Sequence, residues 1–310
     1  MQMSTFDYVV VSTAVIDRVR LSSGELASEV LGGAGVYALS GIRLWSDSTV
    51  LVTGIGDDFP PSCRRWFEET GCSMAGLMVK DTHTAISEIQ YLENGERIET
   101  PPYGKAHYLS LEAGPGEIAP FLRRAKGLYV FKDDRQEYWE ELLPLAKENG
   151  CRILWEINAE AALPEHREQV KGIARQCDVF SINRAEAYGL FGCDDLAEVE
   201  KYLRGWELPL IYLRLGGEGA RVLTRDEAIS VPPVSGIEAA DPTGAGNSSS
   251  AAVLYGFCRG EAPEVCGLRG SISAAACIAQ YGPPGFSAAG RREAAALLEK
   301  MRRELEEHAI

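Results

Sequence analysis

Six short runs of this 310-residue chain are apolar at nearly every position, where a half-exposed strand would alternate. They are YVVVSTAVI (8–16), TVLVTGIG (49–56), GLYVF (127–131), CRILWEIN (151–158), CDVFSIN (177–183) and PLIYLRLG (209–216). A strand with two apolar faces has to be covered on both, which is the situation of a parallel sheet wound with helices. Helical stretches lie between the runs: PPSCRRWFEETG (60–71), RQEYWEELLPLAKENG (135–150) and DDLAEVEKYLRG (194–205). The alternation predicts an α/β chain with a mostly parallel central sheet and helices on both sides. No repeat, low-complexity linker or composition shift divides it, so one domain over 1–310 is expected.

Two stretches break the alternation. Residues 17–30, DRVRLSSGELASEV, are polar and irregular, and residues 83–108 read as a hairpin in which ENGE supplies an Asn-Gly turn. Together, as about 15–30 and 83–108, the two insertions are expected to form a small sheet over one end of the main one, a lid. The C-terminal RREAAALLEKMRRELEEHA reads as an amphipathic helix with charge pairs at i, i+4.

The formal charge of −14 argues against nucleic acid or an anionic membrane surface as a partner, because both are bound through basic patches. The eight cysteines, at 63, 72, 151, 177, 193, 258, 266 and 277, form no Cys-x-x-Cys, and the four histidines are scattered. Free thiols in a reducing compartment follow. The N-terminus lacks a basic region before its short apolar run, so a cytoplasmic protein is expected.

The strongest chemical signal is DPTGAGN, 241–247, followed by a run of small and apolar residues. Gly244 and Gly246 permit close backbone approach and positive φ, and a helix from about Asn247 turns its positive end toward whatever is bound. Unpartnered N–H groups at such a helix start hold anions, including a phosphoryl group in flight. A second glycine pattern, GAGVYA at 33–38 with Asp57 downstream, has dinucleotide-fingerprint spacing, but SSGELASEVLGG does not read as the strand that should precede it. No P-loop sequence is present.

Taken in order, GGAGVYALSGIRLW, VLVTGIGDDF, SINRAEAYGLFG, IYLRLGGEGA and DPTGAGN resemble the PfkB or ribokinase-like family of small-molecule kinases, from Asp7 to about Phe286. The resemblance implies a three-layer α/β/α fold with a small β-sheet lid. It also implies an ATP-dependent kinase that phosphorylates a hydroxyl of a sugar, nucleoside or related metabolite, often as a homodimer paired through the lid. It assigns Asp17, Gly32 and Gly33 to the substrate, and Asn183 and Glu186 to an Asn-x-x-Glu motif that arranges Mg²⁺, water and nucleotide phosphates. Arg214, Gly216 and Gly219 border the nucleotide. Gly244, Ala245 and Gly246 form the anion hole, and Asp241 lies where relatives often hold a monovalent cation such as K⁺. Asp133, just past an apolar strand, is a further candidate for substrate contact.

Four residues depart from the family pattern. Tyr37 stands where an Asn would bind a sugar hydroxyl, and its ring either stacks on substrate or fills the pocket. Glu156 stands where Asp is frequent. Asn247 stands where the family's catalytic Asp takes the acceptor's proton, and Ser249 replaces an aromatic two residues on. An amide is no base at neutral pH, and losing a general base typically costs about 10²–10⁴ in rate. Phosphoryl transfer tolerates that better than most reactions, because positioning and charge stabilisation dominate it. A catalytically impaired binder or sensor of a nucleotide or metabolite is the competing expectation.

Overall fold

The computed structural model describes residues 5–91, 97–285 and 287–308, and among them thirteen strands form two sheets. In chain order the strands are β1 (Tyr8–Val11), β2 (Val15–Arg20), β3 (Leu26–Gly32), β4 (Thr49–Gly56), β5 (Leu77–Asp81), β6 (Ile86–Tyr91), β7 (Arg97–Thr100), β8 (Gly127–Lys132), β9 (Arg152–Ile157), β10 (Val179–Asn183), β11 (Leu210–Arg214), β12 (Ala220–Leu223) and β13 (Ala228–Val231). The large sheet runs β13-β12-β11-β10-β9-β8-β1-β4-β5. Neighbours from β11 to β5 are parallel, and β12 and β13 add an antiparallel edge. Helices cover both faces, so successive residues of each central strand feed opposite cores. Val9, Val11, Leu128, Val130, Ile153 and Trp155 enter one core, and Tyr8, Val10, Tyr129 and Leu154 enter the other. That is the three-layer α/β/α arrangement.

The second sheet, β3-β2-β6-β7, is the expected lid, with β2 and β6 parallel at its centre. Several boundaries differ from the sequence reading. The run 8–16 is not one strand: it breaks at 12–14, where the chain leaves the main sheet for the lid. Residues 17–30 are not irregular; they form most of the β2–β3 pair, with polar residues on an open face. Leu26–Gly32 is therefore a strand after all, yet it is an antiparallel lid strand, so GAGVYA lacks the parallel βαβ setting of a dinucleotide site. The 83–108 hairpin is present as β6 and β7, but Gly104–Ser110 is helix, and the Asn-Gly turn falls outside the described residues. The short strands β5, β12 and β13 escape the apolar-run pattern because each spans only four or five residues. The C-terminal helix spans Ala288–His308, with Lys300–Glu304 and Arg302–Glu306 as i, i+4 pairs. No helix among the described residues is long and apolar enough to cross a membrane.

Among the helices against the core containing Tyr129 are Ala34–Arg43, Ala245–Cys258 and Pro263–Ile278. The middle one is lined with Ser248, Ser249, Ser250, Ala251 and Ala252, small enough to let its backbone approach the sheet and its neighbours. At the first crossing the fit leaves no room, since a Cβ on Gly41 would overlap the backbone of Ser248. Gly41→Ala is expected to lower stability by about 1–3 kcal/mol, the usual range for overpacking, as measured by urea unfolding. It also shifts the helix that carries Asn247.

Candidate functional site

The helix Ala245–Cys258 begins at Gly244, whose φ of 78° is left-handed and whose Cα faces the ring of Tyr37. The start lies two residues earlier than the sequence suggests, and of the two glycines only Gly244 takes positive φ. Ala245 N–H closes the entry turn on the Pro242 carbonyl at 3.3 Å. The next first-turn N–H groups, of Gly246 and Asn247, have no carbonyl partner inside the helix. Ahead of the turn, Asp241 Oδ1 accepts from Thr243 N–H at 2.9 Å and from its hydroxyl at 2.7 Å, which fixes how the chain enters.

Under this helix start the sheet presents a polar row. Tyr129 on β8, Glu156 on β9, Ser181 on β10 and Arg214 on β11 all point to the same face. Glu156 is 1% exposed. It accepts the Tyr129 hydroxyl at 2.7 Å and Asn247 Nδ2 at 3.0 Å, and pairs with the Arg214 guanidinium at 2.9 Å. Arg214 reaches on to Glu186 at 3.3 Å, with its side chain only 13% exposed. Asn183 and Glu186 form a reciprocal capping box, Asn183 Oδ1 accepting Glu186 N–H and Glu186 Oε2 accepting Asn183 N–H, both at 2.8 Å. Desolvation opposes the charge on the Arg214 guanidinium, but Glu156 and Glu186 together outweigh it and hold the group charged beyond its ordinary range. Burial also pushes Glu186 up toward protonation, against the pull of Arg214.

Gly246 is small because of this cluster, for a Cβ there would overlap Arg214 Nη1. Burial and then Glu156 raise the pKa of Tyr129 well above its ordinary value, so its hydroxyl keeps its proton and donates it.

A cavity of about 450 Å³ opens beside the cluster at the ends of β10 and β11. It gathers Asn183, Arg214, Gly216, Gly219, Ala245 and Gly246 in one wall, with Pro233, Val234, Ala275 and Ile278 as an apolar slot. Arg214 contributes to its wall, with its Nε buried and without a hydrogen-bond partner among the described residues. Ser249 lines it too, its hydroxyl turned back to the Gly246 carbonyl at 2.8 Å. A second cavity, about 290 Å³, lies under the lid at the ends of β1, β8 and β9. Ser12, Thr13, Ser87, Tyr108, Asp133 and Asn158 supply polar groups to it, together with Lys132, which is paired with Glu112. Asp17 is the register partner of Ser87 and is buried over Gly32, where a Cβ would overlap its carboxylate.

The sequence-chosen residues thus fall into two groups. Asn183, Glu186, Arg214, Gly216, Gly219, Ala245 and Gly246 gather around the larger cavity and its helix start. Asp17, Gly32, Gly33 and Asp133 belong to the lid side, Asp133 held by Arg135 at 3.0 Å. Tyr37, 3% exposed with its ring on Gly244, fills the wall between them and offers no open face for stacking. Asp241 stays in the entry turn. Among the described residues no group of three or more His, Cys, Asp or Glu is close enough to hold a metal ion. Tyr129, Lys132, Tyr108 and Tyr138 escape the motif reading. A phenol inside GLYVF and the charged KDD directly after it are the only local signals, and the partners lie far away in sequence.

Residues 6–287 match the family described as pfkB family carbohydrate kinase. A cytidine kinase of Thermococcus kodakarensis is 24% identical over 281 residues, which span 89% of this chain and 97% of that protein. Among solved structures, adenosine kinase from Sinorhizobium meliloti superposes with a TM-score of 0.78 at 20% identity, covering 94% of this chain and 100% of that one. Arabidopsis thaliana ribokinase, complexed with ribose and ATP, gives a TM-score of 0.73 at 16% identity, covering 95% and 99%. Those two likenesses show a shared fold.

Removing the guanidinium strands two buried carboxylates. Arg214→Met is expected to lose about 3–5 kcal/mol in urea unfolding, the range for breaking one partner out of a buried ion cluster. Glu186 already has a folded-state pKa above its ordinary value, and losing Arg214 raises it further. Such a group favours the folded state at low pH and loses that advantage as pH rises. The Arg214→Met deficit should therefore be larger at pH 8 than at pH 5.

Proposed function

Since the chain belongs to the pfkB family of carbohydrate kinases, we propose that it transfers the γ-phosphoryl group of ATP to a hydroxyl of a nucleoside or sugar, with Asn247 orienting that hydroxyl. One observation carries the reading. Ala245 and Gly246 of the helix-opening turn line one cavity together with Arg214, so that an anionic phosphate there would find both a backbone cradle and a cation close by. The apolar slot of Pro233, Val234, Ala275 and Ile278 suits a flat base, which supports assigning the nucleotide to this cavity. The acceptor then belongs in the lid-side cavity, whose hydroxyl, amide and carboxylate groups suit a polyhydroxylated ligand. Asn247 stands over β8 and β9, between the strand ends that serve the two cavities. The names of the cytidine and adenosine kinases above put nucleosides first among acceptors to try.

Mg²⁺ would enter with the nucleotide. Glu186 is a single carboxylate with one oxygen committed to Asn183 N–H and Arg214, which fits an ion held mainly by phosphate oxygens and reached through water. Bound there, Mg²⁺ neutralises charge on the phosphates. The protein's own part is positional and electrostatic: first-turn N–H groups and Arg214 face the charge that develops on the transferring group, and the lid excludes water. A monovalent cation near Asp241 remains part of the proposal, as does pairing of two copies through the lid, whose strands expose Leu26 and Ile98. One feature favours a second reading, a ligand-binding protein without turnover: no carboxylate stands at residue 247.

The test supplies Mg-ATP with a panel of nucleosides, sugars and polyols, and follows ADP and phosphorylated product together. Product from at least one acceptor is expected, with turnover lost by at least about 100-fold in Gly246→Val, which displaces Arg214 and fills the anion cradle. Unchanged turnover in that variant would show the cradle to be misassigned. Saturable ATP binding with no labelled acceptor would favour the binder.

A further inference from the structure

The Asn247 amide can sit in only one orientation, and its neighbours decide which. Glu156 Oε1, 3.0 Å from the amide, already takes the Arg214 guanidinium and can only accept as a carboxylate. Tyr129 Oη, 3.2 Å away, gives its single proton to Glu156 Oε2 and can then only accept. Two acceptors facing the side chain require its NH₂ end. The carbonyl Oδ1, on the other branch of Cγ, is therefore turned away from the sheet.

We propose that Glu156 and Tyr129 are positioning residues that lock Asn247 with its Oδ1 toward the acceptor hydroxyl, so that the position is built for a neutral hydrogen-bond acceptor and rejects an ionised carboxylate. The role of Oδ1 rests on the kinase reading; the lock itself does not. The other groups near the amide complete the electrostatics. From β11 come Arg214 and Tyr212, from the helix Arg184–Phe191 comes Glu186, and from the helix Ala34–Arg43 comes Tyr37 beyond Gly244. One guanidinium thus faces two carboxylates. Asn247→Asp would add a third carboxylate against Glu156 and replace two donated hydrogen bonds by repulsion. The least costly response is to retain one proton between residues 156 and 247, as in a carboxylate dyad. The Asp would then be a hydrogen-bonded acid at neutral pH, too weak a base to take the acceptor's proton.

The experiment compares wild type, Asn247→Asp and Asn247→Asp/Glu156→Gln. Urea midpoints are read between pH 5 and pH 8, alongside the product assay. A group whose folded-state pKa is raised stabilises at low pH and loses that contribution as pH rises. The midpoint of Asn247→Asp should therefore fall away from wild type as pH rises through this window. In the double variant, which returns the cluster to two carboxylates, the gap should stay nearly constant. In turnover, Asn247→Asp should be no faster than wild type at pH 7, and the double variant should exceed the single one about tenfold or more. A pH-independent gap for Asn247→Asp, or a tenfold gain from that single change at pH 7, overturns the lock. If no chain phosphorylates any acceptor while the midpoints behave as expected, the lock stands and the kinase reading fails. Should Asn247→Asp not fold, ¹⁵N spectra of wild type and Tyr129→Phe decide instead. The Asn247 NH₂ protons should be protected from solvent exchange in wild type and exchange faster in Tyr129→Phe; exchange at the rate of an exposed amide in wild type overturns the proposal.

Discussion

The contact between Arg214 and Glu156 fixes more of this molecule's chemistry than any other pair. Neither side chain is tolerable alone at its depth, because an unpaired buried charge is far costlier than the pair. Together they set conditions on their surroundings. Gly246 has no side chain because Arg214 lies over it, and Tyr129 keeps its proton because Glu156 accepts it. Residue 247 is neutral where the cluster already holds two carboxylates to one guanidinium. Read along the chain, Glu156 and Asn247 look like separate departures and Arg214 like an unrelated nucleotide-side residue. In three dimensions they are one charge-balanced arrangement.

That arrangement depends on how closely the helix Ala245–Cys258 approaches the sheet. Its serines and alanines bring the backbone down onto β8 to β11, and the hydroxyls settle the polar groups thereby buried: Ser250 meets Ser181 at 2.8 Å, and Ser248 reaches the Ser273 carbonyl at 3.2 Å. From the other side Tyr37 supports the turn at Gly244. A large phenol is thus used as packing at the point where the helix's positive end has to be held steady. Rigid support of this kind is what an anion cradle needs, since donors that must reorganise lose most of their electrostatic advantage.

The central strands are legible in the sequence because burial on both faces leaves continuous apolar runs such as TVLVTGIG, and the observed β4 coincides with that run. Where only one face is covered the signal fades. Hence β2 is absorbed into the run 8–16 and β3 is hidden among polar residues, while β5, β12 and β13, at four or five residues each, are too short to stand out. For the site, DPTGAGN and Asn-x-x-Glu are legible because turn and cap chemistry act over a few residues. The Tyr129–Glu156–Asn247 contact spans 118 residues between its extreme members, and no local pattern announces it. A fully buried phenol in an aliphatic strand reads as core until the carboxylate beneath it is seen.

A site without a base at residue 247 is still compatible with phosphoryl transfer, for a reason found in the reaction itself. In a loose transition state the acceptor oxygen has formed little bond to phosphorus, so its proton is barely acidified when the barrier is crossed. Early removal gains least there, and the groups that matter are those facing the equatorial oxygens of the transferring group. In the proposed reaction these would be the first-turn N–H groups and Arg214. A fixed Oδ1 can still align the acceptor's O–H, and alignment alone is worth several orders of magnitude when the reacting atoms are held near contact. The proton then leaves late, to water or to a phosphate oxygen. On this view the chemistry has moved from proton removal to charge stabilisation, and the buried guanidinium is the residue on which that shift turns.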